Sequence, residues 1–309
     1  MMIYSIYSLS FVLFVHSNCG AYFEMGKINV ITGRGGTGKS TFTTLFTKYI
    51  KAKPLLLIDL DPDGSLAKML GVDLEKEGKW TVADALFEVI GKGKDTKDIP
   101  DLLKRKIEEG AILYKDEKFD LITLGTKLAA GCYCLPDEMI KEMIRNLHKN
   151  YEMVLVDSPA GLEHLNRKVT PDINDLFVVL DPSEKSAKHI DRIKYVTQGV
   201  NISYNKFYLV GNYRFTPLES PAIYDGDVDR KCPFLIGAGV KDSSFLTGFT
   251  DEAESFLLRS GEKYLGRIAY DPLIREHNLR GESLLKIPED SPSSTSVKKI
   301  LREAGYVLV

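Results

Sequence analysis

Nine residues, GRGGTGKST from Gly33 to Thr41, constrain this chain more than any other stretch. They fit the spacing G-x-x-x-x-G-K-[ST]. An apolar, strand-like run, KINVIT, precedes them, and residues 39–51 follow with Phe42, Leu45, Phe46 and Ile50 at helical spacing. A strand turning through glycines into a helix is the context this pattern requires. Gly33, Gly35, Gly36 and Gly38 let the backbone turn tightly and aim its N–H groups inward. The helix adds its positive N-terminal end. Phosphate oxygens suit such a concavity, so residues Gly33 through Thr41, with Thr37 among them, read as a nucleotide cradle for ATP. Lys39 should reach the β- and γ-phosphates, and the Ser40 hydroxyl should hold Mg2+. A glycine-rich turn with no ligand is the plain alternative, and the complete pattern in context argues against it.

The rest of the chain alternates strands with helices. PLLLIDLD, EMVLVDSPAG, DLFVVLDPS and KFYLVGN are continuous apolar runs, as expected of a sheet covered on both faces. YLGRIAYD should add an edge, and 135–149, 184–199 and 293–305 read as helices. Together these imply an α/β fold, a single domain over 25–309 whose mostly parallel central sheet is flanked by helices. The stretch 213–262 is the least regular and reads as an insertion on that domain, ending in a helix at 251–260.

Residues 1–24 are apolar, and no Lys or Arg precedes Lys27, so the basic region of a secretory signal is missing. The run is also short for a membrane span. Met25 is followed at once by the strand that enters the loop, so translation is expected to start there, leaving 1–24 outside the fold. A weak membrane anchor is the rival reading. Net charge is −2, from 41 basic and 43 acidic side chains, which offers no reason to expect nucleic acid or an anionic membrane as the main partner. Four cysteines in 309 residues make no disulfide framework and point to a reducing, cytoplasmic compartment.

A phosphate loop needs carboxylates to hold Mg2+ through water and to orient the attacking water. Asp59 and Asp61 end the strand in LLLIDLDPDG, and Asp157 ends the one in MVLVDSPAG. Ligands of open parallel sheets bind at such strand ends. One aspartate ending a strand is commonplace, because acidic residues favour turns; two such strands behind a phosphate loop are much less so. Asp63 reads as an exposed turn residue, and His164 in GLEHL as a structural histidine at a helix start.

The loop resembles the deviant K-G-G-x-G-K-[ST] loops of the MinD, nitrogenase iron protein and ParA superfamily of P-loop NTPases, with Arg34 where that family carries a signature lysine. The resemblance implies that Arg34 reaches across a nucleotide-sandwich dimer to the partner's phosphates. Arg is a planar, multidentate cation and no neutral replacement for Lys, and a solvated loop arginine is the plain alternative. The same resemblance makes Asp61 the water-orienting residue and Asp59 a support of the magnesium shell. It makes Asp157 the Walker B aspartate, followed by a turn that senses the γ-phosphate, and Asn212 the reader of the adenine edge. Two departures stand out: GNYRF replaces the usual N-R, and GRIAYD has Ala269 where proline is usual.

The stretch AAGCYCLP, residues 129–136, holds Cys132 and Cys134. They could be apolar filler, a redox pair or half of a metal site. As filler the two thiols would point to different faces, so filler explains only one, and C-x-C lacks the redox spacing C-x-x-C. GCYC, then VDSPAGLEHLNRK, then FVVLDPS, resembles the CooC-type ATPases, nickel-insertion accessory proteins of carbon monoxide dehydrogenase. That resemblance runs from about Met25 to the C-terminus, diverging within 213–262. It implies an ATP-dependent metallochaperone that dimerises on ATP and metal and delivers nickel to apo carbon monoxide dehydrogenase, with or without acetyl-CoA synthase. Two thiolates are too few for a closed site. A two-fold homodimer would supply four, suited to tetrahedral Zn2+ or square-planar Ni2+. Cys232 reads as structural and Cys19 lies in the doubtful extension. The alternative is a MinD/ParA-like positioning ATPase acting on membrane or DNA. Against it, SVKKILREAGYVLV puts Val297, Ile300, Leu301 and Ala304 on one face, as a core-packing helix does.

Overall fold

The computed structural model describes residues 26–91, 105–107, 109–126, 134–169, 172–181, 183–212 and 262–309. Residues 1–24, Cys19, Cys132, Cys232 and positions 213–261, with the helix expected at 251–260, lie outside them.

The apolar runs form the sheet. Its strands are β1 (Lys27–Gly33), β2 (Leu55–Asp59), β3 (Tyr114–Lys115), β4 (Asp120–Thr123), β5 (Met153–Asp157), β6 (Asp172–Leu180), β7 (Ser203–Asn212) and β8 (Lys263–Ile268). They lie in the order β3-β4-β2-β5-β1-β6-β7-β8. Every pairing is parallel except β3 with β4. Every residue of β2 and β5 is buried, as a sheet covered on both faces demands. YLGRIAYD does form the edge strand β8.

The helices α1 (Lys39–Tyr49), α2 (Ser65–Leu70), α3 (Val82–Gly91), α4 (Cys134–Leu147), α5 (Glu163–Asn166), α6 (Glu184–Gly199), α7 (Pro272–Arg280) and α8 (Pro292–Glu303) cover the two faces. The alternating side chains of each strand feed two cores. One gathers Leu56, Ile58, Val154, Val156, Ile190 and Ile193; the other gathers Phe42, Phe46, Leu57, Leu155, Val297 and Leu301. In the second, Phe42, Phe46, Phe177 and Tyr306 stack at tilted or edge-on angles, with ring centroids 5.0 to 6.1 Å apart. Phe42, Leu45, Phe46 and Ile50 are all buried, as their spacing predicts.

Several elements carried weaker signals. β4 is only four residues, DLIT, set among charged side chains, yet it pairs with β2 inside the sheet. α3 begins with a reciprocal cap: Thr81 Oγ1 donates to Asp84 Oδ2 at 2.6 Å, and the Asp84 N–H donates back to Thr81 Oγ1 at 3.1 Å. α7 and α8 open on Asp271-Pro272 and Ser291-Pro292, each with the side chain before the proline capping the helix.

From β1 the chain runs out through β2 to the β3/β4 edge, returns as β5 between β2 and β1, and continues through β6, β7 and β8 on the other side, so the strand order reverses beside β1. In open parallel sheets that reversal leaves a crevice at the strands' C-terminal ends. The turns that follow Gly33, Asp59 and Asp157 all leave the sheet at that edge. Among the described residues, no helix is long and apolar enough to cross a membrane. The C-terminal helix α8 buries Val297, Ile300 and Leu301, with Ala304 just beyond, against β8 and α1. Leu301→Ala should therefore cost about 2–5 kcal/mol in urea unfolding, by transfer and cavity terms, with the m-value unchanged.

Candidate functional site

Sterics dictate the loop's glycines. At Gly33 φ is 149°, and an added Cβ would lie 2.3 Å from the Val179 carbonyl oxygen on β6. At Gly38, where φ is 92°, it would lie 2.0 Å from Asn212 Nδ2. The Arg34 carbonyl closes the loop by accepting from the Thr37 N–H at 3.3 Å, Thr37 Oγ1 at 3.0 Å and Lys39 Nζ at 3.1 Å. Lys39 is buried, and that burial pulls its ammonium below its ordinary value against the pull of Asp157 and Asp61. Asn212, at the end of β7, donates from Nδ2 to the Thr37 carbonyl at 2.7 Å. Its amide thus braces the loop, and its Oδ1 takes no part in that bond.

Asp157 ends β5 beside Asp59 on β2 and Ile31 on β1. Its carboxylate accepts from Ser40 Oγ at 2.6 Å and from Thr43 Oγ1 at 2.9 Å, binding the first turn of α1 to the sheet. Thr43 was not singled out in the sequence, although one helical turn past Lys39 puts it on the same face. Asp59 is wholly buried and accepts from the N–H groups of Asp61 at 3.0 Å, Leu66 at 3.0 Å and Ala67 at 3.2 Å. It therefore shapes the turn and seats α2. Burial, and then the neighbouring carboxylate, push Asp59 well above the usual range. Burial likewise raises Asp157, against the two hydroxyls that favour its charge. Asp61 is half-buried at the rim, and Asp63 is exposed beside it, as a turn residue should be.

Arg34 is tied within its own chain, Nη1 to Ser183 Oγ at 3.3 Å and to Asp181 Oδ2 at 3.8 Å. Ser183 also caps α6, accepting from the Ser186 N–H at 3.2 Å. His164 on α5 and His189 on α6 are both buried. Desolvation, then the charge of Lys39, lowers His164 to about 3; desolvation, then Arg34, lowers His189 to about 4.

The donor set fits Mg2+: Ser40 Oγ and the Asp157 carboxylate are hard oxygens beside the loop. Among the described residues, no group of three or more His, Cys, Asp or Glu side chains is gathered to hold a metal ion. Cys132 lies outside those residues, and Cys134 is described only as the backbone start of α4.

A profile described as an AAA domain matches residues 25–207. An uncharacterised ATP-binding protein of Methanocaldococcus jannaschii is 30% identical over 281 residues, 88% of this chain and 96% of its own. The carbon monoxide dehydrogenase accessory protein CooC of Rhodospirillum rubrum is 24% identical over 182 residues, 56% of this chain and 69% of that protein. The MinD cell division protein of Aquifex aeolicus shares the fold at a TM-score of 0.55 and 20% identity, over 91% of this chain and 97% of that one.

Gly38→Ala should displace Asn212 and strain the loop, lowering nucleotide affinity at least tenfold in titration calorimetry. The histidines predict an acid limb. Their folded values lie below the ordinary 6.5, so the unfolded chain binds protons first as pH falls, and stability present at pH 7 is lost between about 6.5 and about 3. Urea unfolding at pH 7 and pH 5 should show His164→Leu losing about 2 kcal/mol less than the wild type.

Proposed function

Because the chain belongs to the AAA domain family, as a P-loop NTPase of the MinD/ParA type, we propose that it is an ATP-dependent metallochaperone. In this reading it dimerises on ATP and metal and delivers nickel to apo carbon monoxide dehydrogenase or a related nickel enzyme. The observation that carries the reading is the position of Cys132 and Cys134 in the chain. Cys134 begins α4, and Cys132 stands two residues before it in the sequence, after β4. The phosphate loop and Asp157 open on the sheet edge where β4 ends. A dimer closing there over nucleotide would bring two C-x-C pairs together as four thiolates for Ni2+ or Zn2+. The likeness to CooC, a protein described as acting with carbon monoxide dehydrogenase, supports the client.

The catalytic roles proposed use the groups already described. Lys39 leaves the Arg34 carbonyl for the β- and γ-phosphates. Asp61, half-exposed at the rim, orients the attacking water. Asp59 keeps the turn that presents Asp61. Arg34 leaves Asp181 and Ser183 for the phosphates of the facing subunit. Asn212 offers its Oδ1 to the adenine amino group. Ser40 and Asp157 would hold Mg2+, which supplies charge neutralisation on the phosphates when bound. Hydrolysis would loosen the dimer, open the thiolate site and release the nickel. Free thiolates suit a reducing cytoplasm.

A MinD/ParA-like positioning role is the second reading, favoured by the shared fold with MinD. ATP-dependent co-sedimentation with liposomes or DNA would support it. α8 spends its apolar face on the core.

Cys132→Ala with Cys134→Ala should abolish stoichiometric Ni2+ or Zn2+ binding in anaerobic protein with ATP, read by elemental analysis, and leave the circular dichroism unchanged. Because thiolates must be deprotonated, the wild type's metal affinity should fall on acidification. Wild-type metal content in the double variant would overturn the metallochaperone reading.

A further inference from the structure

His164 is a core residue with unusual polar demands. It is 4% exposed, and neither ring nitrogen finds a hydrogen-bond partner among the described residues. A neutral imidazole carries one donor and one acceptor, and leaving either unmet in the interior is costly. An aliphatic side chain would fill the same volume without that cost. The residue therefore invites an explanation beyond packing.

Its position supplies one. The segment from Asp157 to His164 lies along the phosphate loop. Asp157 accepts from Ser40, and the Ser158 N–H donates to the Ile31 carbonyl at 3.0 Å. A Cβ built on Gly35 would sit 3.4 Å from the Ala160 Cβ, in ordinary contact. At the far end of the segment, His164 lies within electrostatic reach of the Lys39 ammonium. Ser158 Oγ, on the same segment, is also buried without a partner among the described residues. Lys39 acts on both histidines, and Arg34 and Arg192 act on His189, while Asp157 and Asp61 act on Lys39 and Asp181 pairs with Arg34. Burial, then the charge of Lys39, keeps the His164 imidazole neutral, with one N–H to give.

We propose that His164, with Ser158, recognises the terminal phosphoryl group of the bound nucleotide and so distinguishes a nucleoside triphosphate from a diphosphate. This rests on the nucleotide-binding reading of the loop and is independent of the metal and the client. The imidazole N–H donates to a terminal phosphate oxygen held on the Lys39 side of the cradle. Loss of that phosphate frees α5, which packs on α6. α6 in turn starts three residues past Asp181, the carboxylate that holds Arg34. The state of the nucleotide is thereby passed to the residue proposed to act across the dimer.

The test is a pair of affinities for each variant, ADP and β,γ-imido-ATP, both with Mg2+, measured by calorimetry on the full chain. Wild type should prefer the triphosphate analogue. His164→Leu should fold, melt no lower than wild type at pH 7 and bind ADP within about twofold. Its affinity for the analogue should fall about tenfold or more, the scale of a lost hydrogen bond to a charged group. His164→Gln, whose amide N–H has similar reach, should recover part of the preference. An unchanged preference in His164→Leu would overturn the proposal and leave a core histidine. An equal loss for both nucleotides would overturn it too, by assigning His164 to the fold of the loop. A wild type that binds neither nucleotide would refute the ATP reading itself, a result the variants cannot mimic.

Discussion

The Asp157 carboxylate, accepting at once from Ser40 and Thr43, is the contact on which the rest of the site depends. It fastens the first turn of α1 to the middle of the sheet, in a wholly buried position where no water competes. Because β5 runs between β2 and β1, the same strand end also accepts the Leu60 N–H through its carbonyl at 2.9 Å and leads into the segment that crosses the phosphate loop. Loop, switch-like turn and helix are thus referenced to one residue.

That arrangement concentrates charge where solvent is excluded. Asp59 and Asp157 face each other in register, with Lys39 buried beside them. Burial disfavours the charged form of all three, and the two carboxylates disfavour each other. The local bonds offset part of this: three backbone N–H groups on Asp59, two hydroxyls on Asp157 and one carbonyl under Lys39. A phosphate chain and a divalent cation complement the same charges. The site is therefore poised for the ligands its sequence pattern suggests.

Much of this was legible beforehand, for definite reasons. Strands such as MVLVD and LLLID are apolar up to the aspartate that ends them because both sheet faces are covered. The helix at 184–199 is read to the residue because its periodicity begins just after a Ser cap. DLIT in β4 was not legible: four residues among charges look like a loop until β2 offers its edge. Nor were the second duties. Asn212 reads as a base-contacting amide, yet its Nδ2 braces the Thr37 carbonyl. Arg34 reads as a residue aimed at a second subunit, yet within one chain it rests on Asp181 and Ser183. His164 reads as a structural histidine; it is buried, feels the charge of Lys39, and has no protein partner for its ring among the described residues.

By itself the sequence determined that this chain is a parallel α/β P-loop protein, because glycine placement, strand apolarity and helix caps are local physical requirements met within a few residues. It also displayed the two cysteines whose spacing invites a metal. The tertiary structure alone decided which distant groups share one environment: Asp157 with Thr43, Arg34 with Asp181, Ala160 with Gly35, His164 with Lys39. Those pairings depend on strand order and on the crevice where that order reverses, and no spacing along the chain encodes either.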